Sequence, residues 1–379
     1  MIGGSAALYY FGKLGTHLHL TKVSFNQLPH WNQDEHNQAL KAFQRSCQEI
    51  VRRSARSVFL SSLPEVGTLT DWQKICSEAQ KLDATDKVAA RLFFEKWFDP
   101  YRVTNNFNSI GLFTGYYLPL LHANLTKSKH YTVPIYGLPD DLIKVNLKLF
   151  QSDLAGKKII GKLKGQALYP YPERAAITKG ALHKTAQVIA WGNDELDVFF
   201  AQIQGSAMVS LPHGHPFIIG YAGDNGRSYT AIGKVLIQNK ALTKKNVSMQ
   251  TIREWLMQHP EKTADVLNAN SSYVFFRRLK ENDPHGVENV PLTPERSLAI
   301  DMRYIPLGVP IWLSTSIPDL KRKEDSIPFH QLLVTQDTGG AIKGIVRGDI
   351  YWGAGEKAAF IAGSMKNSGE YWLLLPKKG

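Results

Sequence analysis

From about residue 110 onward the chain cannot be built of long helices, because Gly, Pro and Asn interrupt it every few residues. The pieces between are short and rich in aromatic and β-branched side chains: "GLFTGYYLP", "VFFAQIQGS", "SYVFF", "GVPIWL", "QLLVTQD" and "YWLLLP". Runs of that kind bounded by turn residues read as strands. Two stretches carry helical spacing instead, 228–239 behind Ser228 and 248–259 before Pro260. The first hundred residues read the other way, as helices. Leu40, Phe43, Cys47, Ile50 and Val51 share one helical face, and Trp72, Ile75, Cys76 and Ala79 share another behind a capping box at 70–73. A third amphipathic run with Val88, Leu92, Phe93 and Trp97 stops ahead of Asp99-Pro100. No internal repeat or low-complexity tract occurs. The fold class is mainly β with added helices.

At 379 residues the chain can bury a sizeable core in two or three domains. Its net charge of +12 points to an anionic neighbourhood: nucleic acid, an acidic polymer or a membrane surface. The basic clusters, Arg52-Arg53, Lys321-Arg322-Lys323 and Lys377-Lys378, are too short for a nucleic-acid-binding arm, so nucleic acid is not expected as a partner. No stretch approaches the apolar length of a membrane helix. The opening "MIGGSAALYYFGKL" lacks the basic start of a signal peptide and reads as what remains of an export or anchor segment. Cys47 and Cys76 both project from apolar helical faces. They are either two buried thiols or one disulfide, and a disulfide would imply an oxidising compartment.

The residues with the most chemical content lie in "QDTGGAIKGIVRGDIYWG". Asp337 ends an apolar run and enters the glycine pair Gly339-Gly340; Asp349 follows, just before Tyr351 and Trp352. A third acid, Asp301, ends another apolar stretch in "PERSLAIDMRY". A single aspartate of this kind often only caps a turn. Three at strand ends, with glycines and aromatics beside them, suit a carbohydrate cleft, where rings stack on sugars and acetal chemistry needs a carboxylic acid. Other chemistries find less support. "HGHP" at 213–216 has no partner acid or cysteine for zinc, Ser206 in "QGSA" lacks a nucleophile elbow, and no phosphate-binding glycine motif follows a strand. No metal and no cofactor is expected. "GDNGRSY" at 223–229 is either a plain loop or one that contacts a ligand.

Taken in order, "FTGYY", "VPIY", "QIQGSA", "YAGDNGRSYTAIGKVLI", "SMQTIREWL", "SYVFF", "PLTPERSLAIDMRYIPLG" and "QDTGGAIKGIVRGDIYWG" resemble the membrane-bound lytic transglycosylase A family of murein-degrading enzymes, over about residues 90–379. The resemblance implies a double-psi β-barrel domain from residues 1–117 and 280–379, with a second β-rich domain, 118–279, inserted into it and a substrate groove between them. It implies cleavage of the β-1,4 bond between N-acetylmuramic acid and N-acetylglucosamine without water, leaving 1,6-anhydro ends. Asp349 falls on the family's catalytic acid, and Asp337 would orient and perturb it. Thr114, Gly115, Tyr116, Tyr117, Gln204, Gly205, Ser206, Tyr221, Asp301, Gly339, Gly340 and Trp352 would line the groove, one of Tyr116 and Tyr117 turning into the core. The implied partners are peptidoglycan glycan strands and proteins of cell-wall synthesis or division. The implied location is the periplasm, with the outer membrane reached through a lipid or N-terminal anchor that this sequence does not contain. In that setting a Cys47–Cys76 disulfide is expected. An inverting hydrolase on a related barrel and an inert wall-binding protein are the alternatives.

Overall fold

The computed structural model describes residues 17–53, 63–280, 283–322 and 325–378; the apolar opening at 1–14 lies outside them. Helices His36–Arg52, Leu69–Ala79 and Lys87–Trp97 pack on one another through Leu40, Phe43, Trp72, Ile75, Phe93 and Phe94. The second helix is capped by Thr68 and Asp71, which exchange bonds with each other's backbone N–H, two residues ahead of the predicted box. The third buries Ala90, Phe93 and Phe94 and leaves Val88 and Leu92 in solvent. Its chain passes straight into the strand Phe98–Asn105, so Phe98 joins Phe43, Trp72, Phe93 and Phe94 in one aromatic cluster and fixes which stripe faces inward. Cys47 and Cys76 are joined across the first two helices, with Cα atoms 5.0 Å apart.

Behind the helices, strand pairings run in a cycle. Gly111–Leu118 lies parallel to Arg347–Ala354, which pairs with Ser297–Ala299; then come Ser326–Asp337, Pro310–Pro318 and Lys366–Pro376. The first residues of this last strand pair back onto Gly111–Leu118. Leu298, Ile311, Leu333, Ile350, Tyr371 and Leu373 fill the interior together with the helical cluster. A second sheet orders Val274–Arg278, Phe217–Asp224, Ser206–Ser210, Leu120–Asn124, Val188–Gly192 and Val133–Tyr136. Three short strands between residues 143 and 170 make a third. No helix among the described residues is long and apolar enough to cross a membrane.

Two segments depart from the sequence expectation. "VFFAQIQGS" is not a strand: Glu195–Gln204 is a helix, capped by Asp194 through the Leu196 and Asp197 N–H groups and closed by Gly205 at φ 79°. Leu196, Phe199 and Phe200 recur at helical spacing and bury against Ile232, Ile252 and Leu256, which outweighs the β preference of the two phenylalanines. The helix expected from Ser228 begins only at Ile232. Asn270 and Asn225 accept from the N–H groups of Thr230 and Arg227 and hold 225–230 as a loop. The helix Met249–Gln258 is capped by Ser248, and Pro260 opens a further helix, Pro260–Asn268.

The disulfide closes a loop across 29 positions. Chain-entropy arithmetic for a loop of that size gives about 3–4 kcal/mol. Cys47→Ser with Cys76→Ser should therefore lower the thermal midpoint by several degrees, and thiol titration of denatured, unreduced protein should find no free sulfhydryl. Two titratable thiols would contradict it.

Candidate active site

The two acids of the glycine-rich motif are brought together by one short strand. Ala299 is paired with Asp337 on one side and with Asp349 on the other. At about 4.8 Å per strand the two Cα atoms lie roughly 10 Å apart, twelve residues of sequence folded into a two-strand step. Strand Gly111–Leu118 adds the next row, with Thr114 opposite Asp349 and Tyr116 opposite Tyr351. Because side chains alternate, Thr114 and Tyr116 share one face of that strand. Thr114 Oγ1 donates to Asp349 Oδ1 at 2.5 Å, and the Tyr116 hydroxyl donates to Asp337 Oδ2 at 3.0 Å.

The environments of the two carboxylates differ. Asp337 accepts three protein bonds: from Tyr116, from Val287 N–H at 3.0 Å and from Thr338 N–H at 2.9 Å. Burial nonetheless pushes it up to about 6, the bonds opposing the shift and the Asp349 charge adding slightly to it. Asp349 accepts only from Thr114 among the described residues. Burial raises it too, against the pull of Arg347 and of the Thr114 bond. For both acids the dominant cause is thus desolvation. Arg347 reaches Asp349 indirectly, donating from Nη2 to Thr114 Oγ1 at 2.8 Å, so the hydroxyl relays a cation to the acid. Beneath the pair lies an apolar floor of Tyr116, Leu118, Leu292, Ala299, Ile342 and Tyr351, the two tyrosine rings 5.3 Å apart.

Other expected site residues fall in several places. Trp352 is a correction: it is buried in the main core against Phe329, on the face of its strand opposite Asp349 and Tyr351. Strand alternation makes the two sites exclusive. Gly115 follows from it, since any Cβ there would collide with the Trp352 indole and the backbone of Ala362; its glycine serves packing and not a ligand. Tyr117 is half-buried on that same side, so Tyr116 is the buried one of the pair and also the one that reaches an acid. Gln204 holds its amide oxygen on the Tyr117 N–H at 2.9 Å, tying the helix Glu195–Gln204 to the first strand. Gly205 ends that helix and Ser206 is buried. Asp301 is held by Arg303 and by the Gly344 N–H at 2.8 Å, which keep it below the usual carboxylate range against the effect of burial; it secures a turn. Gly339 and Gly340 have ordinary backbone angles, and Gly340 is exposed with open space where a side chain would be. Tyr221 is exposed, its hydroxyl on Asp224.

Two residues escaped the sequence reading. Arg347 could have been found, being two positions from Asp349 on the same strand face. Tyr229 could not. It arrives from the "GDNGRSY" loop close enough to Asp349 for burial and that charge to raise its phenol. Tyr229 and Gln204 also border a cavity of about 390 Å³ between helices of residues 195–258 and the helix Glu356–Ser364. Neither acid lines that cavity; the two acids with raised proton affinity are by themselves suited to acid–base work. No group of three or more His, Cys, Asp or Glu among the described residues is arranged to hold a metal ion.

Comparison with known proteins bears on the same residues. Residues 112–277 match the family model described as the MltA specific insert domain, and residues 296–375 match the 3D domain. The chain is 30% identical over 332 residues to the membrane-bound lytic murein transglycosylase A homolog of Buchnera aphidicola, covering 86% of this chain and 80% of that protein. Among solved structures, the monoclinic form of MltA from Neisseria gonorrhoeae is 33% identical with a TM-score of 0.79, covering 96% of this chain and 95% of that one. Escherichia coli MltA with bound chitohexaose is 27% identical with a TM-score of 0.66, covering 89% and 90%.

The hydrogen bonds set a testable sign. Each stabilises the ionised form of its acid, so removing it raises that acid's pKa. Thr114→Val should move the limb governed by Asp349 deprotonation to higher pH. Tyr116→Phe should likewise move the limb governed by Asp337 to higher pH. Both are read from pH–rate profiles on murein; profiles that superimpose on wild type would remove these bonds from the chemistry.

Proposed function

The chain belongs to the membrane-bound lytic murein transglycosylase A family, and on that premise we propose that it cleaves the β-1,4 bond between N-acetylmuramic acid and N-acetylglucosamine with Asp349 as the single acid and base. Protonated Asp349 gives its proton to the glycosidic oxygen as the bond to C1 of the muramic sugar breaks. The carboxylate then takes the proton of the C6 hydroxyl while O6 bonds to C1, and a 1,6-anhydro end forms with no water consumed. An internal nucleophile brings its own proximity advantage, so one carboxyl group suffices.

The observation that carries this reading is the unequal hydrogen bonding of the two acids. Asp337 is tied by three protein donors, whereas Asp349 has one and keeps an oxygen for a ligand. Asp337 is accordingly the positioning residue. It holds Tyr116, whose ring forms part of the apolar floor under both acids. The same bonding disfavours an inverting hydrolase, which would need Asp337 free to activate water.

The cycle of strand pairings supports a double-psi β-barrel made from residues 1–117 and 280–379, with 118–279 as the inserted domain and the groove at their junction. Glycan would cross Thr114, Tyr116, Gly339, Gly340 and Tyr221, with Gln204 and Tyr229 on the far bank. Chitohexaose bound to the Escherichia coli relative supports that substrate class. A periplasmic location is supported by the Cys47–Cys76 disulfide, which belongs to an oxidising compartment; association with the outer membrane rests on the family resemblance alone.

Asp349→Asn and Asp349→Ala should each lower murein turnover by at least about 10²-fold, the usual scale of a lost general acid, while binding of chitin-type oligosaccharides persists. Mass spectrometry of wild-type digests should show muramic ends lighter by one water than hydrolytic products. Hydrolytic masses, or an Asp349→Ala variant near wild-type rate, would overturn the assignment.

A further inference from the structure

Residues 143–170 carry a feature that glycan cleavage does not use. Their three strands, Ile143–Asn146, Lys158–Lys164 and Ala167–Pro170, pair only with one another. One face rests on the body through Ile160, which packs beside Tyr171 and Phe275 and against the Gly226 turn. The register sets Val145 opposite Ile159 and Leu163 opposite Leu168, and alternation puts these aliphatic side chains on the other face. There Ile159 and Leu163 are 47% and 58% exposed. The turn after the first strand adds Leu149 and Phe150, exposed by 81% and 77%. Apolar side chains left this exposed on one small sheet and its turn mark an interaction site.

Its surround is basic. Between residues 142 and 170 the charged side chains are Lys144, Lys148, Lys157, Lys158, Lys162 and Lys164 against Asp153. Lys158 and Lys162 approach Asp224 and Asp141, at 3.9 and 3.6 Å. Of the other four, which have no carboxylate partner among the described residues, Lys144 sits opposite Ile160 and Lys164 lies over the Tyr169 ring, both on the Ile160 face, whereas Lys148 and Lys157 flank the turn that carries Leu149 and Phe150. We propose that this sheet docks on an anionic lipid surface, with Leu149 and Phe150 entering the boundary between headgroups and acyl chains and Lys148 and Lys157 beside them meeting the headgroups. Side chains exposed to this degree project from the molecule. A fluid layer accepts such projections without a shaped pocket, whereas a protein partner would need one. The contact requires no helix to cross the bilayer.

The test is sedimentation of the whole chain with vesicles rich in phosphatidylglycerol, compared with phosphatidylcholine vesicles. The chain should bind the former, more weakly as salt rises, and bind the latter little. Leu149→Ser with Phe150→Ser should weaken binding at least about tenfold, the scale of two large apolar side chains withdrawn from the interface. Lys148→Glu with Lys157→Glu should abolish the preference for anionic lipid. Both variants should digest murein at the wild-type rate, which shows that they fold and keeps this test separate from the catalytic reading. Comparison of variant with wild type cancels any contribution from the apolar opening of the chain. Wild-type binding by the double serine variant, equal binding to both vesicle types, or no sedimentation with anionic vesicles would each overturn the proposal. The last result, combined with capture of the patch by an acidic protein, would assign it to protein docking.

Discussion

Three residues, Ser297–Ala299, decide where the two acids stand. Ala299 is the step between Asp337 and Asp349, and if either neighbouring strand slipped by one position against it the pair would be split between faces. So short a strand cannot hold its register by its own ladder, and a buried polar network holds it instead. Ser297 donates from Oγ to Gln336 Oε1, and Gln336 Nε2 donates to the Ala42 carbonyl and to Ser46 Oγ, both at 2.9 Å. Beside them Arg296 reaches Asp34 at 2.9 Å, with both side chains 2% exposed, and also holds the Leu332 carbonyl. Groups buried this deeply tolerate few alternative arrangements, because a shifted register would strand them without partners. The network fixes geometry more than it adds net stability.

Through that network the N-terminal helices become part of the site. His36–Arg52 carries Ala42 and Ser46, and Ser46 also donates to buried Glu288 at 2.6 Å. Glu288 sits next to Val287, whose N–H holds Asp337. Burial raises Glu288 to about 7, against the pull of Ser46 and Arg53. A carboxyl raised in the folded state favours folding when protonated, so its contribution is complete below the unfolded value and fades as pH rises through 7. The disulfide stiffens the helix pair behind it. Helices that look like an appendage to a β protein are thus the wall against which the glycine-rich motif is set.

Two acids in one motif acquire different tasks from their surroundings alone. Asp337 gathers donors and becomes a fixed acceptor; Asp349 meets a single hydroxyl that relays Arg347 and stays available. Identical residue types separated by environment are a general route to acid–base chemistry near neutral pH. Here the separation costs no extra residues, because Thr114 and Tyr116, two apart on one strand, serve one acid each.

By itself the sequence determined what depends on near neighbours along the chain. Apolar spacing located the three N-terminal helices, punctuation by Gly and Pro located most of the strands, and Pro260 marked the end of the helix Met249–Gln258. Motifs carried the family and singled out Asp337 and Asp349. Local pattern already misled where two influences competed: Phe199 and Phe200 favour strands by type, yet their spacing and the Asp194 cap make a helix. Only the tertiary structure decided which face of each strand looks inward. Trp352 and Asp349 are three apart and both chemically suited to a sugar cleft, but alternation sends one into the core and the other to the floor of the site. Tyr229, Arg296 and the pairing of Thr114 with Asp349 were hidden for the same reason. Contacts across 235 positions arise from the parallel pairing of Arg347–Ala354 with Gly111–Leu118, and no periodicity within either segment encodes that pairing.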